Sequence, residues 1–582
     1  MCSLVIGLLC ACDTSELEYE VNDDGKTCTI TSGKNCTDNT LTLPSEIDGY
    51  TVTTIGENAF EDCTSLTSVT IPDCVTTIGM QAFYECTSLT SVTIPDSVTT
   101  IGESAFEDCT SLTSVTIPDS VTTICESAFE YCNSLTNVTI GNGVTTIGNT
   151  AFNYCRELTS INVGALNESY CSIDGNLYTK DEKTLVQYAV GKTDSSFVIP
   201  STVTSVGDYA FFHSSLMHIT IPDSVVSIGE SAFEESQVLQ KISIPNSVTN
   251  LGSRAFLGSG LIYITIPASV TSIGDGAFAY CRELGYITIP DSVTTFDGWM
   301  FSGCNNLTEV TIGNGVTAID DYTFQECTSL TSITIPNSVT EIGRGAFSGC
   351  ISLTSINVGS LNKFYCSIDG NLYTKDEKTL VQYAVGKADS LFVIPNSVTS
   401  VDAFAFEDCT SLTNVTIPDS VTTIAGCAFR GCTNLTSITL PDRVTTIGWQ
   451  TFGNCTSLTS ITIPDSVTAI GDWAFSNCDS LTSITIPGSV TTIGWRTFDN
   501  CTSLTSITIL DGVTTIGKYA FDGCTGLKRI TISDSVTNIE LDAFNDCSSL
   551  TDVYYEGSES DWKKINISVN DELTNAEIHY NS

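Results

Sequence analysis

A 23-residue unit recurs along this chain and restricts its fold more than any other feature. With Cys86–Asp108, CTSLTSVTIPDSVTTIGESAFED, as the pattern, an Ala-Phe or similar pair returns with its Phe at 60, 83, 106, 129 and 152. It returns at 211, 233, 256, 278, 301, 324 and 347, and again at 406, 429, 452, 475, 498, 521 and 544. Successive Phe residues lie 23 or 22 apart, with two gaps of 59. Self-similarity at such a period marks a solenoid, whose turns contact only their neighbours. The 582 residues therefore read as one elongated repeat array, not as several globular domains.

Within the unit, Leu89, Val92 and Ile94 form an apolar comb, and Val92-Thr93-Ile94 alternates with the period of a strand. The β-branched content suits a pleated surface, and Pro95 stops the strand because it has no N–H for a ladder. All 15 prolines end a comb of this kind, Pro44 and Pro200 included, which predicts one strand per turn stopped at one place. Asp96-Ser97 makes a turn, Val98 and Ile101 point inward again, and Gly102 allows a bend. Ser104-Ala105-Phe106 predicts a short helical or 3₁₀ turn whose Phe plugs the core. Three residues after each Phe stands a small residue: of 19 positions 16 are Cys, and the others are Ser214, Ser236 and Ser259. Exchange of Cys with Ser alone indicates a small buried slot. This favours a stacked column of reduced thiols over lateral disulfides or a metal site.

This unit resembles the Treponema-type leucine-rich repeat of BspA-like bacterial surface proteins. The family pattern L-x-x-[IL]-x-[IL]-P-x-x-[LV]-x-x-I-G-x-x-A-F-x-x-C is matched nearly letter for letter, over roughly residues 40–556. The resemblance implies an α/β repeat solenoid, strand-rich, of about twenty turns with terminal caps. It also implies a non-enzymatic adhesion module whose ligands include host extracellular-matrix proteins and other bacterial surfaces. Fold alone does not fix function.

The formal charge is −45, carried by Asp and Glu scattered through turns; it keeps a long array soluble and disfavours nucleic acid and anionic lipid as partners. Residues 1–12, MCSLVIGLLCAC, are apolar and look like the end of a bacterial lipoprotein signal with Cys12 the lipidated residue, although no positive n-region precedes them. That stretch is too short to span a membrane. Residues 13–50 read as an N-terminal cap, where Asn22-Asp23-Asp24-Gly25 between two β-type runs predicts a hairpin; Cys28 and Cys36 there are candidates for a bridge.

Repeats fill 51–155, 201–351 and 396–553, separated by two irregular segments, 156–200 and 352–395. Their cores, 160–200 and 355–395, are almost identical at an offset of 195 residues, so a larger unit was duplicated. In each, Asn176–Thr179 and Thr184–Tyr188, or their counterparts, read as a hairpin, either within an irregular repeat or projecting from it. Residues 554–582 drop the Phe, bring in Trp562, and read as a C-terminal cap.

Chemistry is scarce. His213, His218 and His579 are the only histidines, and no acid or nucleophile is placed beside them in sequence as a triad would need. There are no paired C-x-x-C spacings for a metal, no Walker loop and no calcium-type loop, so no catalytic residues, cofactor or metal are expected. Binding is expected on the outward positions of the strands, Ser91 and Thr93 in the pattern, which line the concave face of such an array. Most repeats keep Ser-x-Thr there. At the position of Ser91, however, successive repeats carry His218, Lys241, Tyr263, Tyr286 and Glu309, at spacings of 23, 22, 23 and 23. Exposed aromatics beside charges are enriched at interfaces, so these five are the candidate ligand patch, for a protein or glycan. A second candidate is the set Trp299, Trp449, Trp473 and Trp495, two or three residues before a repeat Phe. The contrasting reading is a cell-surface scaffold with no specific ligand.

Overall fold

The computed structural model describes residues 17–33 and 39–581. The lipidation candidate Cys12, and Cys36 as the expected partner of Cys28, lie outside these residues. The polypeptide coils into a strand-rich solenoid of about 24 turns.

One turn shows how the sequence produces this. Ser91–Thr93 pairs in parallel with Ser68–Thr70 of the preceding turn, Val92 directly beside Val69. A second, two-residue strand, Thr100–Ile101, pairs with Thr77–Ile78. Between them Val98 is buried, and Gly102 follows. That glycine serves close approach rather than a bend: a Cβ there would lie 2.5 Å from the carbonyl carbon of Gly79 in the turn below.

The Ala-Phe segment is not helical. Ser104 and Asp108 both have left-handed φ, 52° and 57°, which stops any helix from propagating. Alternate N–H groups instead point at the next turn: Ser104 donates to Glu126 O, Phe106 to Ala128 O and Asp108 to Glu130 O, at 3.0, 2.8 and 2.9 Å. Each turn is thus bonded to its neighbours on three sides. Among the described residues α-helix occurs only at Glu559–Trp562 and Asp571–Asn575, and no helix among them is long and apolar enough to cross a membrane.

Two side-chain columns fill the interior. The repeat Phe residues are all buried and stack on one another, with centroids 5.2 Å apart for Phe83–Phe106 and Phe106–Phe129, an offset arrangement that aromatic rings favour. Beside them most column thiols donate to the carbonyl of the Phe one turn back, as Cys109 does to Phe83 O at 3.3 Å and Cys132 to Phe106 O at 3.2 Å. Ser236 does the same to Phe211 O at 3.0 Å. The slot therefore selects a small side chain that is also a donor, which is why Ser is the residue that replaces Cys. No described cysteine is in a disulfide. Outside, Thr hydroxyls bond across turns, Thr90 to Thr67 O and Thr136 to Thr113 O, both at 3.0 Å.

The chain forms two compact units, Met1–Arg282 and Glu283–Ser582, each containing one irregular segment. In the first unit Glu18–Val21 and Thr27–Ser32 form the expected hairpin, and Thr27–Ser32 pairs in parallel with Tyr50–Ile55 of the first repeat. Strands Tyr170–Ile173, Asn176–Thr179 and Thr184–Gln187 are antiparallel, and the last joins Ser205–Val206 in parallel. The segment is an enlarged turn built into the stack, not a projection. Asn167, fully buried, anchors its entry: its amide donates to Gly141 O and Val144 O, and its carbonyl accepts from the N–H of Ser169 and Tyr170. Tyr188 takes the place of the column Phe, stacking on Phe211 at 5.3 Å, while its N–H donates to Ala210 O as a column Phe would.

The second unit repeats this with Asn362 and with Tyr383 on Phe406 at 5.2 Å. Its last strands, Asp552–Tyr555 and Glu577–Tyr580, pair in parallel, and Trp562 packs on Tyr555.

Both column tyrosines bury a hydroxyl that has no hydrogen-bond partner. Tyr188→Phe and Tyr383→Phe should therefore leave thermal stability unchanged or raise it, by up to about 1 kcal/mol, since removing a buried unsatisfied hydroxyl removes a desolvation cost. A drop in midpoint on differential scanning calorimetry would contradict this.

Candidate functional site

The outward strand positions place the sequence candidates as follows. In the first unit His218 heads the strand His218–Thr220 and is the register partner of Lys241 on Lys241–Ser243. Both are exposed, each followed by a buried Ile, 219 or 242. Tyr263 begins the next strand, Tyr263–Thr265, half-buried, with the Lys241 ammonium 5.3 Å from its ring centroid, within cation–π range. In the second unit Tyr286 is 53% exposed and is the register partner of the exposed Glu309. Period-two alternation turns these side chains outward while the Ile beside each one is held inward.

Elsewhere the strand face is a shallow polar trough. In the first unit Ser91, Thr93, Ser114 and Thr116 border an open depression with Asp96 and Asp119 at its edge. Backbone and side-chain N–H groups of Asn142 hold the Asp119 carboxyl below the ordinary carboxylate range. In the second unit Glu309, Thr311, Ser332 and Thr334 border a depression with Asn314 and Asn337.

The histidines have separate surroundings. His213 packs edge-on against Tyr154 at 5.5 Å, and His218 stands on the strand face. His579 bonds Asp552 at 2.8 Å and stacks on Tyr554 at 4.6 Å. With Glu577, this last pair brings three potential metal-ligating atoms within 4.8 Å of one another, a grouping the spacing of the residues did not suggest because Asp552 arrives from a neighbouring strand. Asp552 is already satisfied by His579 and Thr551, so hydrogen bonds within the chain account for the geometry. Column thiols are poor ligands as they stand: burial pushes Cys281 and Cys455 up to about 12, and a metal binds the thiolate.

The tryptophan candidates are gathered in the second unit, on another side of each turn. Trp449, Trp473 and Trp495 come from three successive turns, with centroids 6.4 Å apart for the first pair and 4.0 Å for the second. The Arg496 guanidinium lies 5.9 Å from the Trp495 ring and 4.9 Å from Tyr519 on the following turn. Trp299 stacks on Tyr322 at 5.7 Å, and Tyr322 meets Phe404 at 5.9 Å. The tyrosine and phenylalanine members of this edge were missed in sequence, although each stands two residues before a column Phe.

The model of the BspA type leucine-rich repeat region matches residues 53–180, 191–306, 251–368, 389–503 and 468–579. The chain belongs to this family. No curated protein sequence matches the chain. Among solved structures, BspA-type repeats of this chain are similar to a leucine-rich cell surface protein from Faecalibacterium prausnitzii, 26% identical, covering 96% of this chain and 97% of that one, at a TM-score of 0.36. A leucine-rich repeat protein from Eubacterium ventriosum is 28% identical over 62% of this chain and 98% of its own, at 0.49. One from Bacteroides ovatus is 22% identical over 97% and 98%, at 0.37.

Proposed function

We propose that this BspA-type protein is exported and acts at or outside the cell surface as a non-enzymatic binding protein, with its ligand contacts on the strand face. The observation that carries this reading is the row His218, Lys241 and Tyr263. On a face where most turns repeat Ser-x-Thr, three adjacent turns present an imidazole, an ammonium and a phenol ring in register, the last two in cation–π contact. Aromatic and cationic side chains on the broad face of a solenoid are the kind of surface repeat proteins use to bind. Tyr286 and Glu309 extend the candidate set within the second unit. A protein or glycan ligand, host matrix proteins included, is consistent with these groups, and the family's surface location supports export.

The test is binding of the full chain to immobilised matrix proteins and glycans, beside a variant carrying His218→Ser, Lys241→Ser and Tyr263→Ser. Binding to a partner should weaken by at least about ten-fold in the variant, or ~1.4 kcal/mol, with circular dichroism unchanged. Equal binding by both would remove these residues from the site, and no binding by either would favour a scaffold.

A further inference from the structure

The residue after each column Phe is a free position of the repeat, and in the first unit it carries Glu107, Glu130 and Asn153 on three successive turns. Side chains at this position meet across turns, as Ser302 does with Gln325 at 3.4 Å and Asn545 with Asp522 at 2.7 Å. Glu107, Glu130 and Asn153 therefore form one column of acceptors. Both carboxyls are half-buried. Burial raises them above the ordinary carboxylate range, the Ser104 and Ser127 hydroxyls offset part of this, and the charged groups acting on them most strongly are carboxylates, Asp108 on Glu107 and Glu107 on Glu130. Asn153 is 2% exposed, and its Oδ1 has no hydrogen-bond partner. A buried acceptor left unpaired is unfavourable, and here it adjoins two carboxylates that face each other.

The second unit shows what satisfies such a column. Asp499 and Asp522 stand at the same position on successive turns, and the Arg496 guanidinium reaches both, at 2.9 and 3.7 Å. Arg430 pairs with the buried Glu407, its Nε 2.6 Å away, and Glu407 also accepts from Ser348. The first unit has Asn153, Phe212 and Glu234 where the second has Ser348, Glu407 and Arg430. Two residues before the Phe, where Arg496 stands, its turns have Ser104, Ser127 and Thr150. The acceptors are kept and the guanidinium is not supplied in the same chain.

We propose that Glu107, Glu130 and Asn153 receive an arginine side chain from a protein partner. Neighbouring turns lie about 4.8 Å apart, a span that the planar guanidinium fork can bridge while it donates to two carboxylates and keeps N–H groups for an amide oxygen. A lysine ammonium, compact and strongly hydrated, matches this spread of acceptors less well. The net charge of −45 favours the approach of a cationic partner. The site rests on the reading of the protein as a binding module, but it is separate in sequence and in position on the turn from His218, Lys241 and Tyr263.

The experiment is fluorescence anisotropy of the full chain with a labelled octapeptide of alternating Arg and Ser, beside its Lys counterpart. The Arg peptide should bind at least about ten-fold more tightly than the Lys peptide. A Glu107→Gln/Glu130→Gln variant should lose at least about ten-fold in affinity for it, with circular dichroism unchanged. Ser104→Arg places an arginine where Arg496 stands, on a backbone of nearly the same φ, 52° against 50°; it should block the peptide and raise the thermal midpoint. The variant with His218, Lys241 and Tyr263 changed to Ser should bind the peptide as the parent does, which separates failure of this site from failure of the strand-face reading. No binding by the parent, or equal binding of the Arg and Lys peptides, would overturn the proposal. So would equal binding by the Gln variant, which would leave only attraction by the overall charge, or displacement of the peptide by calcium at constant ionic strength, which would assign the carboxylates to a metal.

Discussion

Phe106→Ala is expected to destabilise its part of the first unit by about 3–5 kcal/mol, the usual cost of deleting a fully buried aromatic ring. The ring is 0% exposed and stacked on both sides at 5.2 Å. Its backbone N–H and carbonyl are both engaged with adjoining turns, so the backbone has little freedom to collapse into the void. Because solenoid turns contact only their neighbours, the loss should be local. Hydrogen exchange should show it in the turns around Phe106 and leave those around Tyr188 and Phe211 at parental protection. Urea unfolding followed by hydrogen exchange checks both parts, and a loss below about 1 kcal/mol would show that the Phe column does not carry the stability of the stack.

Alkaline pH should unfold the protein steeply. Desolvation raises the buried column thiols Cys109, Cys132, Cys155, Cys432, Cys478, Cys524 and Cys547 above their ordinary value of 9.0, and Cys281 and Cys455 reach about 12. A group whose folded pKa is raised stabilises the fold fully below its unfolded pKa and loses that contribution as pH rises towards the folded one. The thiols therefore leave stability flat up to about pH 8. Above pH 9 each removes about 1.4 kcal/mol per pH unit from the unit that opens, until its folded pKa is reached.

Glu107, Glu130 and Glu234 are also raised by burial, so their share grows on mild acidification. Asp24, Asp181 and Asp376, held low by hydrogen bonds, lose theirs only as pH falls below about 4. Urea midpoints measured from pH 5 to 10.5 should be highest on the mildly acidic side and collapse above 9; a midpoint held constant to pH 10 would contradict the protonated column.

The repeat made much of this fold legible. Phe106, Val92 and Pro95 recur so regularly that the strand, its stop and the buried ring could be read from one unit and extended to the rest. The Ala-Phe segment could not. Ser104 carries no sequence sign of left-handed backbone, which inter-turn N–H bonds impose from outside the segment; the Asp108 position does carry one, in the Gly258, Asn454 and Asp62 of other turns, which sequence reading missed. The Cys–Ser exchange announced a small slot, but the donor role of Cys109 requires knowing where the Phe83 carbonyl lies. Tyr188 hid in the 59-residue gap because the column is re-entered there after an enlarged turn, with Gln-Tyr in place of Ala-Phe. At the candidate sites, the spacings of 23 and 22 aligned His218, Lys241 and Tyr263 correctly. The contact of Lys241 with Tyr263, and the continuity of the tryptophan edge with Tyr322, Phe404 and Tyr519, depend on side-chain directions that spacing does not encode.

We propose that regular turns are a frame and that binding resides where turns depart from the pattern. The most direct measurement compares three chains on one array of matrix proteins and glycans: the parent, the His218, Lys241 and Tyr263 to Ser variant, and a control with Ser68, Ser91 and Ser114 changed to Ala on the regular strand face of the same unit. The account predicts at least one partner bound by the parent and the control alike and lost by the first variant. A partner lost by the control and kept by the first variant would place recognition in the repeated Ser-x-Thr face and contradict it.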